Sequence, residues 1–297
     1  MTLFIERKLN MSIDRIQILK LMTFDQLHEH ATKGDALAQF VIGDRLLKGT
    51  NVTKNEGEAV RWFKLAAEKE LAEAQSHLGY CYQNGLGVLE SPQEAIMWHR
   101  LAALQNFPCA QFNLGLCYDM GYGVPQDKTE AVKWYHLAAV QGDVHAQQNL
   151  GYCYATGEGV ALNKSESLKW YKEAADGGLA SAQCAAAERL EGKNNLEALR
   201  LLRESANQGF GPALTALGYL YATGSGVERD FVRAAKLISL GKQQGDAARA
   251  SNASSTLRRA VTKHKSDLLS AITEILENTE PSYPIHELTS TNASLTV

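Results

Sequence analysis

Three cysteines, Cys81, Cys117 and Cys153, stand 36 residues apart in the sequence. Thiols at a fixed interval are candidates for disulfide bonds or for a metal site. Equivalent positions on neighbouring packed helices lie roughly 8–10 Å apart, beyond the ~7 Å over which two cysteines can be bridged without backbone movement. The spacing therefore favours small packing residues over a disulfide or metal site.

Other residues capable of chemistry also lack the required spacing. The pair His28 and His30 lies about 200° apart around a helix, which is a poor arrangement for chelation. The chain has no His-Glu-x-x-His motif, no nucleophile elbow and no paired Cys-x-x-Cys. Its Gly-x-Gly-Val segments lack the later glycine of a dinucleotide fingerprint and the Gly-Lys-Ser/Thr of a P-loop. The sequence thus predicts a non-enzymatic protein with no metal and no cofactor.

Composition narrows the partners and the compartment. The 297 residues carry 30 Lys+Arg against 33 Asp+Glu, a net charge of -3, which disfavours a broad nucleic-acid interface. No apolar run approaches the roughly 20 residues that cross a bilayer, and the first 22 residues lack the unbroken apolar segment of a secretory signal. Five cysteines are an odd number for a disulfide framework. These features predict no membrane partner and a cytoplasmic location.

A repeat of 36 residues positions all of these side chains. Four units have a Leu-Gly-x-x-Tyr segment that ends at glycines, five have a helix-capping residue with Glu three positions later, and four have a stripe containing Trp. Recurrent glutamines are expected to bond backbone groups between repeats. This pattern predicts two helices per unit, stacked as a solenoid. The units are predicted to start at Ala38, Ala74, Ala110, Ala146, Ala182 and, after a five-residue deletion, Ala213.

The repeat sets the predicted domain organisation. Residues 1–22 are expected to be a helical extension, and residues 23–248 a solenoid of one half repeat plus the six units. Residues 249–278 have an apolar stripe typical of capping helices, and residues 279–297 form a Ser/Thr-rich tail expected to be flexible. The fifth unit lacks the Gly-x-Gly-Val turn, so a shortened connection is expected there.

Unit three states the motif in full, from Ala110-Gln111 through Leu114-Gly115 to Trp134-Tyr135. This pattern resembles the Sel-one-like repeat, a relative of the tetratricopeptide repeat, over about residues 38–248. The resemblance implies an all-α fold, a right-handed superhelical α/α solenoid of helix hairpins. It also implies that the first helix of each hairpin lines a concave groove that binds another protein.

Transferring the register of those relatives gives the candidate partner-binding residues. They combine aromatic side chains with carboxylates and amides and include no Lys or Arg, which favours a partner with a basic or amide-rich face. An alternative is that the tyrosines pack between repeats. The set comprises Phe40, Asp44, Tyr80, Gln83, Asn84, Phe112, Leu116, Asp119, Gln148, Tyr152, Glu188, Glu191 and Tyr219.

The predicted function is capture of a partner protein, which the solenoid then regulates or inhibits; the free protein is expected to be a monomer. The tail follows an acidic stretch (Glu274, Glu277 and Glu280) and resembles C-terminal export signals of type IV-secreted bacterial effectors. It favours an effector exported into host cytosol. One alternative is a quality-control or ubiquitin-pathway adaptor. Another is a β-lactam-binding hydrolase like cysteine-rich relatives of the family, although no second cysteine recurs in phase.

Overall fold

The computed structural model describes residues 14–190, 196–262 and 273, and within these residues the chain is built of α-helices joined by short turns. The chain divides into two compact units, Met1–Leu162 and Asn163–Val297. None of the described helices is long and apolar enough to span a membrane. The all-α prediction is confirmed.

The described part of the first unit, residues 14–162, contains three complete hairpins. Its helices are α1 (residues 14–21), α2 (Phe24–Thr32), α3 (Ala36–Lys48), α4 (Glu56–Ala67), α5 (Ala72–Asn84), α6 (Pro92–Leu104), α7 (Pro108–Met120), α8 (Lys128–Ala139) and α9 (Val144–Thr156). From α2 onward each helix packs against the next. The first helices of the hairpins are α3, α5, α7 and α9, and the second helices are α4, α6 and α8.

The second unit continues the same alternation. Its helices are α10 (Lys164–Asp176), α11 (Ala180–Arg189), α12 (Leu196–Asn207), α13 (Gly211–Thr223), α14 (Phe231–Gln243) and α15 (Ala247–Thr262). Helix α11 has 10 residues where α9 and α13 have 13. Residues 1–13 of the predicted extension, most of the predicted capping region after residue 262 and the tail 279–297 lie outside the described residues.

Two left-handed glycines shape the turn in hairpins such as α7–α8, whereas Asn51 takes the second of these positions in the α3–α4 turn. Gly121 ends α7 in the left-handed conformation, with φ +73°, and its N–H donates to the Cys117 carbonyl. Gly123 also has positive φ, and a Cβ there would collide with the Pro92 carbonyl oxygen at the start of α6. The turn of one hairpin therefore packs directly on the second helix of the hairpin before it, where no side chain fits.

A further glycine lies inside every first helix of the first unit: Gly43, Gly79, Gly115 and Gly151. A Cβ on Gly115 would come within 2.7 Å of the Tyr135 ring, and one on Gly79 within 2.7 Å of the His99 ring. These glycines let the ring that follows the tryptophan pack against the helix backbone. Tyr135 is accordingly buried, whereas Trp134, expected in the core stripe, is only half-buried.

At α4, α6 and α8 only one of the two hydrogen bonds of the predicted capping box forms. The Asp127 side chain accepts the N–H of Glu130 at 2.9 Å, and Asn55 and Ser91 make the same bond at α4 and α6. The predicted capping box would also return a bond from Glu130 to the Asp127 N–H. That N–H donates instead to the Tyr118 carbonyl at 2.9 Å, because the first helix lies close enough to accept it. Asn194, the predicted cap in the fifth unit, lies outside the described residues.

The recurrent glutamines connect consecutive hairpins, as predicted. Gln111 Nε2 donates to the Ala103 carbonyl at 3.3 Å, eight residues earlier in the preceding second helix. Four other glutamines make the equivalent bond to an alanine carbonyl: Gln39, Gln75, Gln147 and Gln183. Each glutamine is a second donor to a carbonyl near a helix C-terminus, which also accepts a backbone N–H from the turn that follows; at Ala103 that N–H comes from Asn106 at 3.0 Å.

Candidate functional site

On α3, α7 and α9 of the first unit, candidate residues occupy two positions four residues apart, and on α5 Tyr80 occupies the second of these positions. Examples are Phe112 and Leu116 on α7 and Gln148 and Tyr152 on α9. Residues at i and i+4 lie on one side of a helix. We call these positions, together with the adjacent end of each helix, the first-helix face. In the first unit it comprises Phe40, Asp44, Tyr80, Gln83, Asn84, Phe112, Leu116, Asp119, Gln148 and Tyr152.

The tyrosines of this face are accessible. Tyr80 and Tyr152 are 48% and 49% exposed, and Tyr219 at the equivalent position of the second unit is 45% exposed. Packing between repeats therefore leaves about half of each tyrosine free for contact with another molecule.

Phe40 does not reach the surface. It is 7% exposed, and its ring packs edge-on against the His77 ring at 4.9 Å and near the Phe63 ring at 6.0 Å. The prediction of Phe40 as a contact residue overlooked His77, which covers it from the next first helix. Asp44, 9% exposed, pairs with Lys48 Nζ at 2.6 Å.

Asp119 and Tyr152 are joined through two residues that the sequence did not single out. Lys128 Nζ lies 2.6 Å from Asp119 Oδ1 and 3.1 Å from Glu158 Oε2. The Tyr152 hydroxyl donates to Glu158 Oε1 at 3.1 Å. We call Asp119, Lys128, Glu158 and Tyr152 the Lys128 network. The two carboxylates raise the pKa of Lys128, and the Glu158 carboxylate raises the pKa of Tyr152.

The Tyr135 hydroxyl holds Asp119 from the core side. It donates to Asp119 Oδ2 at 3.2 Å, and burial together with the nearby Asp119 charge raises the pKa of Tyr135. Asp119 is therefore oriented by two donors, the Tyr135 hydroxyl and the Lys128 ammonium. One edge of the first-helix face is thus fixed before any partner binds.

The candidate carboxylates are less available than their sequence suggested. Asp44 pairs with Lys48, Asp119 with Lys128 and, in the second unit, the exposed Glu188 with Arg249 Nη1 at 2.7 Å. Lys48 follows Asp44 by four residues, a spacing that predicts an ion pair on a helix. Lys128 and Arg249 lie 9 and 61 residues from their partners, and no local pattern indicates such contacts.

The remaining candidates divide between structural and accessible positions. Gln83 Oε1 accepts from His99 Nε2 at 3.3 Å, and the Gln83 carbonyl accepts from the Tyr122 hydroxyl at 3.2 Å. Asn84 is exposed, and its amide donates to the Tyr80 carbonyl at 2.9 Å. The side chains of Phe112, Leu116 and Gln148 are half-buried. Glu191 lies outside the described residues.

The thiols offer little nucleophilic character. Cys81 and Cys117 are buried free thiols, and burial raises their pKa to about 12 and about 11. They stay protonated at neutral pH, and the thiolate is the reactive form. Within the described part of the chain, no three His, Cys, Asp or Glu side chains cluster in a way that could hold a metal ion.

The family model described as Sel1 repeat matches the chain six times. The matched residues are 36–71, 72–107, 110–143, 144–179, 180–210 and 211–246. A comparison with curated proteins gave no match.

Two solved bacterial proteins have a similar fold. A protective antigen present in uropathogenic Escherichia coli strains and displaying an SLR fold is 32% identical over 86% of this chain, with a TM-score of 0.74. The match spans 56% of the length of that protein. A Sel1 repeat protein from Oxalobacter formigenes is 27% identical, over 87% of this chain and 99% of its own, with a TM-score of 0.68.

Proposed function

This chain belongs to the Sel1 repeat family, and we propose that it is a non-enzymatic protein-binding solenoid that captures its partner on the first-helix face. The repeat is typical of scaffolds for protein–protein interaction. Because the fold alone does not select a partner, the proposal depends on the side chains that this face presents.

One observation carries the proposal: Tyr80 and Tyr152 occupy the same position in the 36-residue repeat, two repeats apart, and half of each side chain is exposed. Tyrosine contributes a large contact area and a hydroxyl while it loses little conformational entropy on binding. Aromatic side chains of this kind supply much of the binding energy in protein interfaces. The two tyrosines are therefore the proposed anchors.

The Lys128 network prepares one of these anchors. The hydrogen bond from the Tyr152 hydroxyl to Glu158 orients that hydroxyl in the free protein, which reduces the entropy cost of ordering it when a partner binds. The exposed Asn84 amide adds a donor and an acceptor for a partner backbone. Since Lys128 neutralises part of the charge of Asp119 and Glu158, the face favours an amide-rich partner segment over a strongly basic one.

Capture of a partner would mask the bound surface, and we propose regulation or inhibition of that partner as the consequence. The role as an effector exported into a host cell depends on the tail, which lies outside the described residues. Its test is fusion of residues 270–297 to a reporter, where absence of translocation would contradict it.

The adaptor alternative predicts ubiquitin-pathway proteins among the captured partners, and the hydrolase alternative predicts turnover of nitrocefin.

The decisive experiment is affinity capture with the full chain, identification of the partner by mass spectrometry and measurement of its affinity with purified components. The Tyr80→Ala/Tyr152→Ala variant should lose binding while circular dichroism shows unchanged helicity. Leu89→Ala/Leu162→Ala, which removes two exposed apolar side chains from turns, is the matched control and should bind normally. Equal partner affinity of the tyrosine variant and the wild type would refute the proposal.

A further inference from the structure

Three leucines on the second helices of the first unit are exposed at the same repeat position. Leu65 on α4, Leu101 on α6 and Leu137 on α8 are 36 residues apart and 44%, 41% and 42% exposed. We call these three side chains the leucine row. Three further exposed apolar side chains lie within four residues of it on the same helices or directly after them: Met97, Leu104 and Val140.

The fold does not require leucine at this position. In the second unit two of the three equivalent residues are Glu173 on α10 and Glu204 on α12, and both helices form normally; the third is Leu240 on α14, which is partly buried against the core. Large exposed apolar patches are uncommon on protein surfaces that bind nothing. Three leucines at a position that accepts glutamate therefore indicate a surface that contacts another molecule.

The charges around the leucine row are mainly positive. Arg61 and Lys64 lie beside Leu65, Arg100 precedes Leu101, and Lys133 lies one turn before Leu137. Lys133 pairs with Glu130 at 2.8 Å, and Glu68 is the carboxylate that follows Leu65 on this stretch. The surface thus combines an apolar row with a basic margin.

Two of these cations are held in place by the neighbouring first helices. Lys64 Nζ lies 5.6 Å from the centre of the Tyr82 ring, and Arg100 Nη2 donates to the Tyr118 hydroxyl at 2.9 Å. Arg100 is exposed and Lys64 is half-buried, and neither cation pairs with a carboxylate of the described residues. A partner with carboxylates at matching positions would gain complementary charge.

We propose that the leucine row is a second binding surface, which docks an amphipathic helix of another protein with acidic residues along its apolar stripe. Gln141, just after α8, donates to Asn106 Oδ1, just after α6, at 3.1 Å, so the ends of these successive second helices lie beside one another. Packed helices have axes roughly 8–10 Å apart. An α-helix presents the same side every seven residues, a rise of about 10.5 Å. Apolar residues at seven-residue intervals would therefore meet successive leucines. A second copy of this chain is disfavoured as occupant because it would place cations against cations.

The test uses a labelled synthetic helical peptide of about 18 residues, with leucines at seven-residue intervals flanked by glutamates. Its counterpart carries lysines in place of the glutamates. Fluorescence anisotropy with the full chain should show binding of the acidic peptide and at least tenfold weaker binding of the basic one. Equal affinity for both peptides, or no binding of the acidic one, would overturn the proposal.

Two triple variants separate the apolar and charge contributions. Substitution of Leu65, Leu101 and Leu137 by Gln removes the apolar contact alone, and substitution by Glu introduces the side chain found at Glu173 and Glu204. Both variants should bind the acidic peptide at least tenfold more weakly than the wild type does, and the Glu variant should bind it more weakly than the Gln variant. Tyr80→Ala/Tyr152→Ala should bind the peptide normally, which distinguishes this surface from the first-helix face. Unchanged binding by the Gln variant, or a dimer in light scattering that this variant abolishes, would contradict the assignment.

Discussion

The Lys128 ammonium lies 2.6 Å from the Asp119 carboxylate, across the turn that joins α7 to α8. This contact places a cation beside the first-helix face, although the candidate residues of that face include no Lys or Arg. It also joins Asp119 to Glu158 and so to the Tyr152 hydroxyl. The charge and the geometry of the first-helix face therefore depend on a residue in the second helix of a hairpin.

Lys128→Met should destabilise the protein by up to about 1 kcal/mol at neutral pH, because the pair is partly exposed and screened by solvent. Pairing raises the pKa of Lys128 above its ordinary value of 10.5, so its contribution is complete below pH 10.5. The contribution is lost as the pH rises through the raised pKa. Urea unfolding of both proteins from pH 7 to 11.5 should show the difference shrinking at the alkaline end. A difference independent of pH would contradict this account.

Gly123→Ala should destabilise the protein by about 2–5 kcal/mol. The substitution adds left-handed backbone strain of about 1–2 kcal/mol and a collision with the Pro92 carbonyl. Gly142 provides the matched control, because it has φ +89° and a Cβ added there would meet nothing within 4 Å. Gly142→Ala should therefore cost only the strain. Equal losses in denaturant unfolding would show that the collision is relieved by movement of the turn.

Much of the fold could be predicted from the sequence because the same local signals recur in each unit. Glycine stops, capping residues such as Asp127 and glutamines such as Gln111 act through nearby backbone groups, and the structure has them where the repeat predicts. The half-formed capping box could not be predicted. It depends on the Tyr118 carbonyl, whose approach to the cap is a tertiary contact.

The candidate site was less predictable for a related reason. Repeat register placed Tyr80 and Tyr152 on helices where they are exposed, but the same register gave Phe40, which His77 covers. A register identifies a side of a helix, whereas exposure depends on the length of the neighbouring side chain. The partners of charged residues, such as Lys128, come from other helices and have no sequence period.

Gln111→Met should destabilise the protein by about 1–3 kcal/mol, because the buried Gln111 amide would lose its hydrogen bonds to the Ala103 carbonyl, to Asn106 Oδ1 and from Gln141 Nε2. Methionine preserves the approximate volume, so the loss reports the hydrogen bonds. Gln93→Met, at an exposed position on α6, serves as the control and should change stability by less than about 0.5 kcal/mol. Chemical denaturation measures both, and similar values for the two variants would argue against a stabilising role for the recurrent glutamines.

His99 should make the stability of the protein depend on pH between about 4 and 6.5. It is fully buried against Gly79, and burial lowers its pKa from 6.5 to about 4. In this interval the unfolded chain binds a proton that the folded one does not, so stability falls as the pH falls. The loss should reach on the order of 3 kcal/mol near pH 4.

Phenylalanine is the natural replacement, because Phe63 occupies the equivalent position against Gly43 in the preceding hairpin. His99→Phe removes the titrating group while the ring still packs, although Gln83 Oε1 loses its donor. At each pH, the free energy of unfolding of this variant is subtracted from that of the wild type. The difference removes the contribution of carboxylate titration, which is common to both proteins. The difference should change steadily below pH 6.5 and level off near pH 4. Parallel pH profiles would mean that His99 is protonated in the folded protein or that its site opens to water.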